Sequence, residues 1–264
     1  MEYTINVKGR LMDLSKPQVM GILNATPDSF YAASRVQTER QIAERANQIV
    51  AEGAGIIDVG AYSTRPGGTE VTEAEETERL RGALKVVRRE QPDTVISVDT
   101  FRPGVARMAV EEFGADIIND VGFAPRPDMF RMVARLQVPY ILMSTQPTLR
   151  QMLLTFAEEV QLLCDLGVKD IILDPGFGFG KTLEQNYELM AELEKLQVME
   201  RPILVGISRK SMIYKLLNLT PDDSLNGTTA LHAVSLMKGA SILRVHDVSQ
   251  AVETIKIVQA LNRK

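Results

Sequence analysis

Only one cysteine, Cys164, occurs among the 264 residues, so no intramolecular disulfide can form and the fold must rest on its packed core. Its place inside a helical stretch predicts a buried thiol acting as a small hydrophobe. Histidine is nearly as scarce. There are two, His232 and His246, and no His, Cys and carboxylate grouping has the spacing of a zinc site. Charge of one sign is not in excess either. With 30 basic and 34 acidic residues the formal net charge is −4, which leaves no nucleic-acid footprint, although a local positive site can exist inside an acidic protein. No apolar run approaches the roughly 20 residues that span a bilayer. The opening Met-Glu-Tyr-Thr has no basic segment leading into an apolar core, so no export signal is expected and a cytoplasmic protein is. Low-complexity linkers and sharp changes in composition are also missing. Their absence predicts a single domain over 1–264, with residues 1–16 as an extension that forms a short hairpin at the bottom of the main fold.

What the chain does have is a rhythm. Eight short apolar runs, at 19–24, 56–60, 95–100, 116–121, 140–144, 170–175, 203–208 and 242–247, each end in a polar or glycine-rich cluster and lead into a helical stretch. Parallel strands need crossovers of a dozen or more residues, usually helices. Eight strand–helix units in a chain of this length predict an α/β fold of the (β/α)8 TIM-barrel type, with strands made apolar by the helices that cover them.

The predicted helices follow from apolar spacing and end signals. They are 38–52 (Ile42, Ala46, Ile49 and Val50 on one face, Gly53 as the stop), 74–90, 103–112 with Pro103 at its start, 128–136, 148–166, 183–196, 211–217 with 227–238, and 249–261. Two connections are long, from Asn24 to Thr38 and from Gly60 to Ala74. Both follow strands, which puts them on the face of a barrel where lids and binding loops are built.

The strand ends read Asn24, Asp58, Asp99, Asn119–Asp120, Asp174, Ser208 and Arg244–His246. A barrel directs such side chains toward one cavity. Asp99, Asn119 and Asp174, joined by Lys210, would offer acceptors and donors to a flat ligand rich in N–H and C=O groups. Each alone could simply cap the next helix; all three being caps is a weaker account. The stretch DPGFGFGKT at 174–182 sits where a phosphate loop would, but Pro175 stands where that motif needs its first glycine. Its alternating glycines, with Phe177 and Phe179, instead suggest backbone close to a ligand beside an aromatic wall, or else a packed glycine-rich turn. Arg65, Arg244 and His246 are candidates for an anion, with Thr64 assisting. His232, inside a predicted helix, is given no role. A magnesium ion bridging Asn24 and ligand phosphates is feasible, because magnesium is commonly held by few protein groups.

Taken in order, GILNATPDSF at 21–30, DVGAYSTRPG at 58–67, SVDT at 97–100, IND at 118–120, DPGFGFGKT at 174–182, GISRK at 206–210 and RVH at 244–246 closely resemble dihydropteroate synthase, over nearly the whole of 19–247. That resemblance implies a (β/α)8 barrel and a magnesium-using transferase of folate biosynthesis. Such an enzyme joins 4-aminobenzoate to a dihydropterin carrying a CH2–diphosphate, releases diphosphate, and is the target of sulfonamides. It further implies that Asp99, Asn119, Asp174 and Lys210 bind the pterin edge, that Met143, Phe179 and Gly206 line its pocket, and that Arg244 stacks on the ring. Asn24 would hold magnesium. Thr64, Arg65, Arg244 and His246 would contact diphosphate, and Ser208, Lys210 and Pro66 would border the aminobenzoate site. Asp99, Arg65 and Lys210 are the catalytic candidates. A homodimer through the last helices is also implied by analogy, with small-molecule substrates and neither nucleic acid nor membrane as partners.

Three stretches depart from the family pattern. Tyr31-Ala-Ala-Ser-Arg35 replaces the usual Asp-Gly-Gly segment after Phe30, the region 122–128 is unusual, and Leu142-Met-Ser-Thr-Gln146 leads quickly to a helix where the family carries a longer insert. These changes bear on loop closure, while the residues of the pterin pocket are intact. Two other readings use the same barrel: a pterin binder that has lost transferase activity, and a pterin-dependent methyltransfer domain. Thr64, Arg65 and Lys210 favour the synthase over the first. The second acts with corrinoid partners, and no corrinoid-binding segment is evident.

Overall fold

The computed structural model describes residues 3–25, 32–61, 71–124 and 126–261. The chain opens with an antiparallel hairpin of β1 (Thr4–Val7) and β2 (Arg10–Asp13). The alternating part begins with β3 (Gln18–Asn24), α1 (Ala32–Ala51), β4 (Ile56–Gly60), α2 (Glu73–Glu90), β5 (Val95–Asp99) and α3 (Pro103–Phe113). It continues with β6 (Ile117–Asp120), α4 (Pro127–Leu136), β7 (Tyr140–Met143), α5 (Leu149–Asp165), β8 (Ile171–Asp174) and α6 (Leu183–Ala191). β9 (Leu204–Val205), α7 (Ser211–Leu217), α8 (Leu225–Met237), β10 (Ile242–Val245) and α9 (Val248–Leu261) complete it. Neighbouring strands pair in parallel in the order β8-β7-β6-β5-β4-β3-β10-β9. A parallel bridge between Leu173 and Ile203 joins β8 to the residue before β9, and the sheet closes as a (β/α)8 barrel.

The period of two along each strand sorts its side chains. Met20, Ile56, Ile117, Ile141, Ile172, Leu204 and Ile242 pack together inside the barrel as an apolar floor, and Ile5, Val7 and Leu14 of the hairpin segment pack against that floor. The alternate residues, such as Val19, Ile57, Val98, Ile118, Leu142, Leu173 and Leu243, face the helices in a second apolar cluster. Two residues beyond the floor, the inward positions become Asp58 on β4, Asn119 on β6, Met143 on β7, Asp174 on β8 and Arg244 on β10. One alternation therefore supplies both a dry base and a polar upper cavity.

Several boundaries differ from the sequence expectation. α1 begins at Ala32, not 38; Ala32 and Ala33 are strong helix formers that carry the helix into the expected first loop. It ends as expected at Gly53, whose φ of +98° is accessible to glycine at little cost. The expected helix over 183–196 stops at Ala191 and tightens into a 3-10 segment over Leu193–Met199. The run at 203–208 keeps only Leu204–Val205 in the sheet, because the chain turns where Lys210 N–H donates to the Ile207 carbonyl. Cys164 corrects another expectation: it is exposed, not buried. The buried face of α5 is Met152, Phe156, Glu159, Val160 and Leu163, and the residue after Leu163 is turned about 100° away from that face.

Candidate active site

Arg244 lies at the centre of the polar cavity. Its Nε donates to Asp58 Oδ2 at 2.6 Å and its Nη2 to Asp99 Oδ2 at 2.7 Å. Asn119 Nδ2 donates to the same Asp58 oxygen at 3.1 Å. Asp58 and Asn119 are fully buried, so these are strong, directional contacts in a low-dielectric setting. The sequence named Asp58 only as a strand end, yet the structure makes it the junction between Arg244 and Asn119. The signal was its spacing, two residues past inward-facing Ile56.

Some acceptor capacity stays unused. Asp58 Oδ1, Asn119 Oδ1 and Ser97 Oγ are buried without a hydrogen-bond partner among the described residues. Unsatisfied buried acceptors are costly, and a cavity that retains them suits a ligand that brings N–H donors.

Asp174 and Lys210 form the opposite wall. Asp174 Oδ1 accepts from Gly176 N–H at 2.7 Å. Burial pushes its carboxyl above the usual range, against the pull of Lys210. Lys210 Nζ donates to the Phe177 carbonyl and stands 4.5 Å from the centre of the Phe179 ring, a cation–π distance. Burial lowers its ammonium to about 8, with Asp174 and Asp99 acting in the other direction. At Asp99, burial is again the largest influence. It raises the carboxyl to about 7 despite Arg244, helped by the negative charges of Asp58, Glu76 and Asp120.

The turn that presents Lys210 is braced from outside. Arg209, in the left-handed region at φ +55°, grips Asp247 with Nε at 2.9 Å and Nη2 at 2.7 Å. That fork ties the Ser208–Lys210 turn to the end of β10, where Ser208 Oγ and His246 Nδ1 are 3.0 Å apart. Arg45 of α1 donates to the His246 carbonyl at 2.6 Å, fixing the same corner from the helix layer.

Most of the expected site residues thus converge. Asp99, Asn119, Asp174, Lys210 and Arg244 gather at the carboxyl ends of the strands, with Ser208 and His246 paired at the neighbouring corner. Met143 is buried on the inward side of β7, Gly206 is buried just after β9, and Phe179 is partly exposed beside Lys210. Asn24 is exposed at the end of β3. Thr64, Arg65 and Pro66 lie outside the described residues. Asp120 departs from the expected ring: its carboxylate faces the helix layer, accepting from Tyr140 Oη and from Gly122 N–H, because it is the strand neighbour of inward-facing Asn119. Lys181 was read in the sequence only as part of a failed phosphate-loop motif. Its Nζ donates to the carbonyls of Ser144, Gly176 and Phe179 at 3.1, 3.0 and 3.1 Å, so it braces loop backbone. No group of three or more metal-ligating side chains occurs among the described residues, and none of the described helices is long and apolar enough to cross a membrane.

Comparison with known proteins identifies the family. A family model described as "Pterin binding enzyme" matches residues 20–246. The chain is 39% identical to the dihydropteroate synthase of Escherichia coli K12, over 96% of this chain and 94% of that protein. The structure of Xanthomonas albilineans dihydropteroate synthase with 4-aminobenzoic acid superposes with a TM-score of 0.92 at 34% identity, covering 100% of both chains. That of the Yersinia pestis enzyme with a pterine–sulfa conjugate gives 0.87 at 35% identity, over 98% of each. The chain belongs to the dihydropteroate synthase family of pterin-binding enzymes.

Proposed function

We propose that the cavity bounded by Asp99, Asn119, Asp174, Lys210 and Arg244 binds the dihydropterin ring. The reaction is that of the family: 4-aminobenzoate condenses with (7,8-dihydropterin-6-yl)methyl diphosphate to give 7,8-dihydropteroate and diphosphate, a transferase step of folate biosynthesis. The observation that carries the site assignment is the set of unpartnered buried acceptors, Asp58 Oδ1 and Asn119 Oδ1, beside two carboxylates and a partly desolvated lysine. A ring edge with adjacent N–H and acceptor atoms satisfies all of them at once.

The chemistry follows from charge placement. The bond between the pterin methylene and diphosphate oxygen breaks, its electron pair departs on the diphosphate, and the positive charge left behind spreads over the pterin nitrogens. Asp99 stabilises that charge from the barrel interior. Arg65, Thr64, Arg244 and His246 receive the leaving diphosphate, with the role of Thr64 and Arg65 resting on the family pattern. The amine lone pair of 4-aminobenzoate then forms the new C–N bond, and the nitrogen gives up its proton to water. Ser208, Lys210 and Pro66 border the incoming amine, while Met143, Phe179 and Gly206 hold the ring. No covalent enzyme intermediate is needed. Asn24, exposed at the mouth of the barrel, offers one amide oxygen, which fits a magnesium site completed by diphosphate oxygens and water. Bound there, magnesium would neutralise charge on the leaving group.

A cytoplasmic homodimer completes the proposal. Exposed Leu216 and Leu217 on α7, Met237 on α8 and Ile257 and Leu261 on α9 supply apolar surface for a second copy.

The deciding experiment is diphosphate release from purified protein supplied with dihydropterin diphosphate and magnesium, with and without 4-aminobenzoate. Amine-dependent release with dihydropteroate formation is expected. Tight pterin binding without turnover would show a binding protein whose loops no longer close.

A further inference from the structure

Behind the pterin wall, on the helix side of the sheet, lies a buried charge cluster that the reaction does not use. Arg126, in the unusual stretch between β6 and α4, is almost wholly buried with its guanidinium between two carboxylates. Nη1 is 3.7 Å from Asp120 Oδ2, and Nη2 is 3.8 Å from Glu159 Oε1 of α5. Neither approach is a hydrogen bond. The short, directional contact goes elsewhere: Nη2 donates to the Met143 carbonyl at 2.6 Å. The carboxylates therefore serve as counter-charges, and the hydrogen bond of the guanidinium is reserved for the last residue of β7.

Its neighbours show what that bond controls. Asp120 follows Asn119 on β6 and accepts from Tyr140 Oη, at the first residue of β7. Arg126 holds the other end of the same strand at Met143. The next carbonyl, Ser144, accepts from Lys181 Nζ at 3.1 Å. Two cations from different loops thus hold consecutive carbonyls where β7 ends, and only residues 144–148 separate this strand from α5. Ser144 N–H donates to the Asp174 carbonyl at 2.9 Å, which keeps the end of β7 in the sheet, and the two cations add a hold on the carbonyls of Met143 and Ser144 from the loops outside it.

We propose that Arg126 is a positioning residue for the pterin pocket, fixing the end of β7, and with it the Met143 side chain, through the Met143 carbonyl. This role rests on the pterin reading of the cavity. Replacing Arg126 alone would leave Asp120 and Glu159 without their counter-charge, so the informative variant is paired. Arg126→Met/Glu159→Gln removes the cation together with one of its carboxylates, and Arg126→Lys keeps a cationic donor at the same position.

The test is calorimetric binding of dihydropterin diphosphate with magnesium, alongside the KM for 4-aminobenzoate and the thermal midpoint. In the paired variant the pterin Kd is expected to rise about tenfold or more, the scale of one charge-assisted hydrogen bond. The KM for 4-aminobenzoate, set on the far side of the cavity by Ser208 and Lys210, should stay within about twofold. Arg126→Lys should recover most of the pterin affinity. The proposal is overturned if the paired variant binds pterin like the unaltered protein, or if pterin affinity, aminobenzoate KM and thermal midpoint all decline together with no rescue by lysine. Failure of the unaltered protein to bind pterin would instead overturn the pterin reading itself, and this role with it.

Discussion

Arg244 reaches across the barrel interior to Asp99, with Nη2 and Oδ2 2.7 Å apart, while its Nε holds Asp58. The pair joins β10 to β5 across the proposed pterin site. Arg244 keeps the Asp99 carboxylate available as an acceptor, and burial works against it, setting that carboxyl at about 7. On the other wall burial sets the Lys210 ammonium at about 8. The two groups titrate close to neutrality and in opposite senses.

This arrangement predicts a narrow pH optimum for kcat/KM with respect to the dihydropterin diphosphate. Asp99 must be ionised to accept from the ring and to stabilise positive charge, so the rate constant should fall as the pH drops through about 7. Lys210 must be protonated to donate, so it should fall again as the pH rises through about 8. Because kcat/KM reports the unliganded enzyme, these ligand-free values are the relevant ones. In an Asp99→Asn variant the acid limb should vanish while the alkaline limb remains. A profile flat from pH 6 to 9 would remove both groups from the assignment.

Lys210→Ala should lower kcat/KM by about two orders of magnitude or more, since it deletes a desolvated cation aimed into the site. The variant should still fold, because the Lys210 side chain contributes a hydrogen bond to the Phe177 carbonyl and a ring contact with Phe179, while the backbone bonds of the turn remain. Arg65→Ala should act differently, chiefly by raising the KM for the diphosphate substrate. Steady-state kinetics with each substrate varied in turn separates the two. Unchanged kinetics in both variants would refute the site map.

The chemistry of this site was legible in the sequence to an uneven degree. Asp99, Asn119 and Asp174 could be placed because they end apolar runs, and a parallel barrel leaves strand ends only one shared cavity. Inward and outward positions were harder to assign. Asn119 and Asp120 are adjacent acidic or amide residues, yet one faces the ligand cavity and the other the helix layer. Only the register set by inward-facing Ile117 separates them. The brackets around the site were invisible for a different reason. Arg209 to Asp247, Arg126 to the Met143 carbonyl and Lys181 to the Ser144 carbonyl are contacts between residues far apart in the chain, made by residue types that ordinarily lie in solvent. Cys164 shows the opposite error: a residue type usually buried sits one position past the buried face of α5, and a helical rotation of that size decides its exposure.

Gly176 lies where the loop after β8 runs close against the end of β7. Its φ is +66°, and a Cβ built on it would lie 2.1 Å from the Ser144 carbonyl oxygen. Gly176→Ala therefore combines left-handed backbone strain with a backbone clash, and should destabilise the fold by at least about 2 kcal/mol. The displacement it forces would part Gly176 from Ser144 and loosen the Lys181 brace that spans them. Urea denaturation would measure the loss. The same variant should show weaker pterin binding, because the shifted segment carries Asp174 at one end and Phe179 in its middle. An alanine variant as stable as the unaltered protein would mean that the two segments can separate freely.

His232 supplies a pH dependence that has nothing to do with catalysis. It lies buried in α8 with Nε2 unpartnered among the described residues, and burial lowers its imidazole to about 4. In the unfolded chain the same group titrates near its ordinary value of about 6.5. The folded state therefore holds His232 neutral over a range in which the unfolded state takes up a proton. Stability from this source is fully present above about 6.5 and is lost as the pH falls toward 4, to a limit of about 3 kcal/mol. A His232→Leu variant has no proton to take up in either state. Relative to the unaltered protein, it should gain stability progressively between pH 7 and 4, read as diverging urea midpoints over that range. If the two midpoints instead run parallel with pH, His232 is not held neutral, and the acid sensitivity of the fold must come from its carboxylates.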